Sequence, residues 1–368
     1  MREATRLGYR PALDGVRGVA ISIVVAFHAF GWPGEGTLGV DLFFVLSGFL
    51  ITTLLLEEHA TTGAISIRAF YRRRARRLLP ALFVMLAPFL LLAAVTAAVT
   101  ASFRLQVFVG VGAALTYTSN IVVAADASAV PAGLIHLWSL AAEEQFYIAW
   151  PLCLLVLLRL GGLRLVGRAL AVMLAFALVY RLQLIVRGAS IERLYYAPDT
   201  HADSLLIGCA FGCYFARGRL PRIIASERPR KVSVVVTLML IVAAAVLLDR
   251  VPPRLAYGTQ LLPTGFAIAA GVFIVCVALG GSAVARALSV RPIVFLGRIS
   301  YSLYLWHLPL LVAFAGVHRD VGLRTIAAVA AAVVLAIASR YCIELPFLAR
   351  RVHATNENVQ AAPVVAPA

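Results

Sequence analysis

Charge is what this sequence lacks, and acids most of all. Of its 368 residues only 14% are Asp, Glu, Lys or Arg, and 17 acids face 33 bases. A soluble globular chain carries roughly a quarter charged residues. Most soluble enzymes and the charge-rich disordered classes are therefore excluded. Cysteine is also scarce. The five present (Cys153, Cys209, Cys213, Cys276, Cys342) all fall within apolar runs, so a secreted disulfide scaffold does not fit. Cys209 and Cys213 share a helix face, but two thiols without His or carboxylate company read as packing, and no metal is expected. There is no Walker motif and no dinucleotide-binding glycine fingerprint. No internal repeat is evident, which weighs against inverted-repeat transporters.

What is present is hydrocarbon. Hydrophobic residues make up 62% of the chain, and the mean hydropathy is +0.92. The composition is that of an all-α polytopic membrane protein. A net charge of +16 on a soluble domain would suggest nucleic acid. Here the bases sit in short clusters between long apolar stretches, the pattern of cytoplasmic loops. The expected partner is thus the lipid bilayer, and no nucleic acid.

A bilayer core of roughly 30 Å takes about 20 apolar residues per helix. Ten spans are predicted, near 13–31, 38–56, 79–100, 145–160, 168–187, 203–217, 232–248, 260–280, 298–316 and 324–342. The first holds Arg17 and His28, lacks a small-x-small cleavage site and is followed at once by another span, so it is not a cleavable signal peptide. Basic loops lie at 68–77, 159–168, 217–231 and 286–298, and Arg350 and Arg351 follow the last span. All are cytoplasmic together if both termini are cytoplasmic. The apolar stretch 105–135 would invert every later loop if it crossed, so it is expected to be re-entrant or interfacial and to line a cavity up to His136.

Ionisable groups inside spans cost several kcal/mol and usually face a cavity. Arg17 and His28 are eleven residues apart, about 20° from full register and about 16 Å along one helix face. Asp14 shares that face and can pair with Arg17. Asp41 opens the second span, where it can fix the tautomer of His28 or simply cap its own helix. His136, Ser139 and Glu143 share another face, and Glu144 and Gln145 stand beside them. A capping role explains one of those two acids well and both poorly. Ser300, Tyr304 and His307 form a polar stripe on the ninth span, and the arginines at 68–77 can cradle polyphosphate as well as mark topology.

Together these segments resemble the acyltransferase-3 family of integral membrane O-acyltransferases. The resemblance rests on the spacing of Arg17 and His28, the run Gly39 to Phe49, the segment Tyr71 to Pro80, the block Trp138 to Pro151, and Ser300 to His307. Any one is weak; five in order are specific. The resemblance implies about ten helices with both ends cytoplasmic in a bacterial inner (plasma) membrane. It implies residues 1–347 as a membrane acyltransferase domain and 348–368 as a disordered cytoplasmic tail. It further implies transfer of a short acyl group, often acetyl, from acyl-CoA to a hydroxyl of a glycan or macrolide acceptor. Arg17 and His28 match the family's functional pair. The Arg-x-x-Arg motif maps onto Arg73 and Arg76, with Arg74 and Arg77 as a second register. Some relatives carry an extracellular esterase-like domain, which this chain is expected to lack.

The mechanism expected from these residues has His28 as general base with Asp41 as orienter. Arg17 stabilises charge on the donor or positions its pantetheine arm. Arg73, Arg76 and Arg77 bind the phosphates of acyl-CoA. Glu143, Glu144, Tyr301 and His307 line the substrate path. A covalent acyl-enzyme on Ser47 or His28 is the alternative route. The competing class is a transporter or flippase of a lipid-linked or small polar substrate, whose buried His, Arg and Asp would relay protons.

Overall fold

The computed structural model describes residues 7–31, 37–95, 100–218, 261–316 and 322–348, with isolated positions between 234 and 242. Among the described residues every regular element is helical. That follows from a chain with too few polar side chains to satisfy exposed backbone in lipid. Most of the predicted span at 232–248, and all but the first residue of the tail at 348–368, lie outside the described residues.

In chain order the helices are α1 (Pro11–Phe30), α2 (Thr37–Thr62), α3 (Ile67–Val95), α4 (Ala101–Leu115), α5 (Ser119–Ala125), α6 (Leu137–Val186), α7 (Ile191–Tyr196) and α8 (Asp203–Ala216). Then come α9 (Leu261–Leu279), α10 (Ala283–Leu288), α11 (Arg291–Ala315) and α12 (Leu323–Ser339), the last continued by a π turn at Arg340–Glu344. Five helical segments are long and apolar enough to cross a bilayer: Pro11–Phe30, Leu38–Thr62, Ile67–Val95, Ala132–Val186 and Leu323–Leu348. Three shorter apolar helices accompany them.

Two elements depart from the expected boundaries, for local reasons. The arginine cluster is no loop. It forms the first turns of α3, which begins at Ile67, because Arg, Ala and Leu are good helix formers. The predicted spans at 145–160 and 168–187 belong to one helical run, α6, broken only at Gly161 and Gly162. Gly162 adopts φ 62, open to glycine alone at little cost. The stretch 105–135 is cut into α4, α5 and two 3-10 turns at Ala127–Ala129 and Ala132–Leu134. At 15 residues α4 reaches about 22 Å, short of a full crossing.

Glycine sets how closely the site-bearing helices approach. α1 lies against α10 and α11 so tightly that a Cβ on Gly297 would overlap the carbonyl oxygen of Asp14, and one on Gly18 that of Ile293. α2 and α8 meet the same way: a Cβ on Gly48 would overlap the Leu205 carbonyl, and one on Gly208 that of Val45. Lipid supplies no hydrophobic drive between helices, so small residues that allow backbone contact do this work. The buried core splits accordingly. One cluster joins α1 and α2 to α9, another joins α1 to α11 and α12, and a third joins α3 and α4 to the start of α6.

Candidate functional site

Two cavities lie along the pair α1–α11. The first, open on one side, spans about 730 Å³ with its mouth included and is lined by Arg17, Ser47, Arg74, Arg77, Ser139, Glu143, Tyr147, Ser300, Tyr301 and Tyr304, with a few apolar neighbours. The second, also open, spans about 910 Å³ with its mouth included and is lined by His28, Phe27, Ile135, Tyr196, Leu308, Leu311, Val312 and Thr325 among others. On α1 the linings pass from Arg17 to His28; on α11 they pass from Ser300 and Tyr304 to Leu308 and Leu311. The two helices therefore carry both cavities in the same order.

The first cavity has a charged floor. Residues 74 and 77 stand three apart on α3 and face inward, while Arg72, Arg73 and Arg76 face out and are exposed. This is helical periodicity acting on a row of identical side chains. It corrects the register expected from sequence. Arg77 lines the cavity, whereas Arg73 lies 4.0 Å from Glu58, with its side chain 45% exposed. Arg74 takes the inward place instead. Its Nε lies 2.9 Å from both oxygens of Glu144, and its guanidinium lies 3.1 Å from the centre of the Tyr147 ring, a cation–π contact. Glu143 accepts a hydrogen bond from Ser47 and lies 3.8 Å from Arg74. The paired acids at the start of α6 thus divide the work: Glu144 neutralises Arg74, and Glu143 faces the cavity. Arg17 donates to Asp14 at 3.1 Å. Tyr301 lines this cavity and donates to the Leu78 carbonyl at 2.8 Å. Glu143 and Tyr301, expected along the acceptor path, thus share a cavity with Arg77.

Between the cavities stands a group of aromatic rings. Tyr304 lines the first cavity; its hydroxyl donates to the His136 carbonyl and lies 2.6 Å from the Ser139 hydroxyl. One turn on, His307 is fully buried. Its Nε2 is 3.3 Å from Nδ1 of His28, and the two rings are 5.0 Å apart between centroids. His136 packs edge-on against His307 at 5.1 Å. Three imidazoles from α1, α11 and the start of α6 thus converge. The sequence showed each on a polar helix face; only packing shows that the faces meet.

Asp41 is not part of this group, and its expected role as orienter of His28 is corrected. It is buried and accepts from His201 at 3.0 Å and from Ser204 at 2.8 Å. That cluster ties α2 to α8 and to the connection before it, because His201 also contacts the Tyr195 carbonyl at 3.0 Å. His201 and Ser204 carry no motif or spacing that sets them apart in the sequence. Among the described residues no group of three or more His, Cys, Asp or Glu side chains is arranged to hold a metal.

Comparison with known proteins adds to this geometry. A family model described as an acyltransferase domain matches residues 10–344. The chain is 31% identical to peptidoglycan O-acetyltransferase OatA of Listeria monocytogenes over 327 residues, covering 84% of this chain and 51% of that protein. It is 33% identical to the putative peptidoglycan O-acetyltransferase YrhL of Bacillus subtilis, covering 83% of this chain and 49% of that one. It is also 33% identical to O-acetyltransferase OatA of Staphylococcus aureus, covering 83% and 51%. The chain spans about half the length of these relatives. No solved structure matches it.

Proposed function

This chain belongs to the acyltransferase-3 family of membrane acyltransferases, and from that membership together with the site geometry we propose that it moves a short acyl group, acetyl first, from acyl-CoA to the hydroxyl of a glycan acceptor. In this reading ten helices cross the bacterial plasma membrane with both termini cytoplasmic. The arginine-side cavity faces the cytoplasm and takes the donor; the His28-side cavity faces outward and takes the acceptor. The relatives are named for peptidoglycan, which makes a peptidoglycan sugar the first acceptor to try.

The chemistry asks for three things of these residues. CoA phosphates need fixed positive charge, which Arg77 brings to the first cavity, while Arg17, paired with Asp14, stands where it can position the pantetheine arm. The thioester must reach the imidazoles, and in this reading it passes Ser139 and Tyr304, which line the first cavity. The acceptor oxygen must lose its proton as it attacks. In that step the O–H bond breaks toward His28, the new C–O bond forms, the C–S bond breaks, and the thiolate leaves to take up a proton.

The observation that carries the reading is the placement of His28 on one cavity, backed by buried His307, with an arginine-lined cavity further along the same two helices. Purified full-length chain in proteoliposomes, loaded with acetyl-CoA, is expected to release free CoA thiol only when a hydroxyl acceptor such as a muropeptide is supplied outside. Flux of a lipid-linked or small polar solute with no thiol release would replace this reading by a transporter or flippase.

A further inference from the structure

The first turns of α3 hold more arginine than the cavity uses. Arg74 and Arg77 line it, and Arg73 lies beside Glu58. Arg68, Arg72 and Arg76 take no part in it. They stand four residues apart, so at about 100° per residue they cover an arc of about 80° on one side of the helix. All three are exposed. Among the described residues no carboxylate pairs with any of them. Of the acids on the neighbouring helices, Glu57 accepts from the Leu7 amide, Glu58 accepts from the Ser66 amide, and Glu143 and Glu144 face Arg74. The first turn of α3 also holds no acid, although the dipole at a helix N-terminus favours one there. Positive charge therefore builds up on this face with nothing in the described chain to balance it.

The same face runs on as hydrocarbon. Counted from Arg68, residues 83, 87 and 90 fall at about 60°, 100° and 40°, inside or at the edge of the arc of the arginines. Phe83, Ala87 and Leu90 are all exposed, while Ala81, Leu82, Met85 and Leu86 on the opposite side are buried. Pro80 and Pro88 lie within α3, yet the exposed stripe is continuous across them. The segment Ile67–Val95 is long and apolar enough to cross a bilayer. Exposed Phe and Leu side chains on such a helix face acyl chains. Arg76 is seven residues before Phe83, about 10 Å along the axis, which puts the arginines at the level where hydrocarbon gives way to headgroups.

We propose that this outward face of α3 is a binding site for an anionic phospholipid: the headgroup phosphate is held by Arg68, Arg72 and Arg76, and the acyl chains lie along Phe83, Ala87 and Leu90. Guanidinium groups bind a phosphate with paired hydrogen bonds. An exposed ion pair with a soluble anion gains little. A lipid meets both halves of the face, and each basic residue near an anionic membrane surface adds about fivefold to the affinity. The site is separate from the arginine-side cavity and does not depend on the acyl-transfer reading. One helix thus turns two arginines inward to the cavity and three outward to lipid.

The test uses the full-length chain purified in detergent and given phosphatidylglycerol and phosphatidylcholine of the same acyl chains in equal amounts. Retained lipid is counted by native mass spectrometry. Wild type is expected to retain phosphatidylglycerol at least tenfold over phosphatidylcholine. The triple variant Arg68→Gln, Arg72→Gln, Arg76→Gln is expected to lose most of that preference, and the matching triple variant to Lys to keep part of it. Arg159→Gln, Arg164→Gln, Arg168→Gln removes the same charge from α6 and is expected to keep the preference. Equal loss in the α6 variant would assign the effect to overall charge and overturn the site. A second measurement needs no variant: phosphatidylglycerol with a photoreactive group in its acyl chain is expected to label α3 between residues 77 and 91 of the wild type. Labelling confined to other helices, equal retention of the two lipids by wild type, or release of phosphatidylglycerol by millimolar CoA, which would give the face to a soluble anion, each overturns the proposal.

Discussion

Arg74 and Glu144 form a closed pair on the floor of the arginine-side cavity, with Nη2 of the arginine 2.5 Å from Oε1 of the acid. The Glu144 side chain is 7% exposed. A guanidinium already matched by a carboxylate and a tyrosine ring is poorly placed to bind a third anion. Its part is to pin α3 to α6, which leaves charge for an incoming phosphate with Arg77.

Breaking that pair is expected to destabilise the protein. Arg74→Ala or Glu144→Ala alone leaves a buried charge without its partner, at about 3 to 5 kcal/mol. Arg74→Met combined with Glu144→Leu is expected to lose less than either single change. Thermal unfolding of the three variants in detergent checks the order; a double variant less stable than both singles would count against a closed pair.

Arg77→Ala is expected to raise KM for acetyl-CoA about tenfold or more, the scale of one charge-assisted hydrogen bond, with little change in kcat. Arg73→Ala and Arg76→Ala are expected to change KM little, because both side chains face out. Initial rates against donor concentration separate the two registers directly.

His28→Ala is expected to fold and to lose acyl transfer by about a hundredfold or more, the scale of a general base. A folded variant working at the wild-type rate would remove His28 from the chemistry.

Asp41→Ala is expected to cost stability, about 1 to 3 kcal/mol for the buried donors left at His201 and Ser204. The turnover of the fraction that remains folded is expected to be unchanged, and His28 labelling by diethyl pyrocarbonate is expected to match wild type.

Gly297→Ala and Gly48→Ala are each expected to destabilise by about 1 to 3 kcal/mol, since the added methyl meets backbone rather than a movable side chain. Gly265→Ala is the control: nothing lies within 4 Å of its added carbon, and alanine is the better helix former there. Melting temperatures of the three variants give the comparison.

Much of the site was legible one helix at a time. Arg17 and His28 on one face of α1, and Tyr304 and His307 on one face of α11, follow from spacing alone. The family resemblance added a pair of arginines from the cluster, in either of two registers. The register at 73 and 76 or at 74 and 77 depends on how α3 is rotated about its own axis, and the Glu144 carboxylate and the Tyr147 ring on α6 set that rotation. That His28 meets His307 while Asp41 meets His201 was illegible for the same reason. Asp41 follows closely in sequence, but its carboxylate turns to His201, 160 residues away, and His28 turns to a residue 279 away.

By itself, then, the sequence determined that the chain is helical and bound for lipid, for hydrocarbon with few charges permits no other satisfied backbone. It also determined which side chains are too polar to face that lipid. Only the tertiary structure decided which of those polar faces meet. In a membrane interior nearly every helix is apolar all round, so hydrophobicity does not choose the neighbours. Glycine contacts such as Gly297 on Asp14 and Gly48 on Leu205 choose them instead, and they bring two imidazoles far apart in the chain to 3.3 Å.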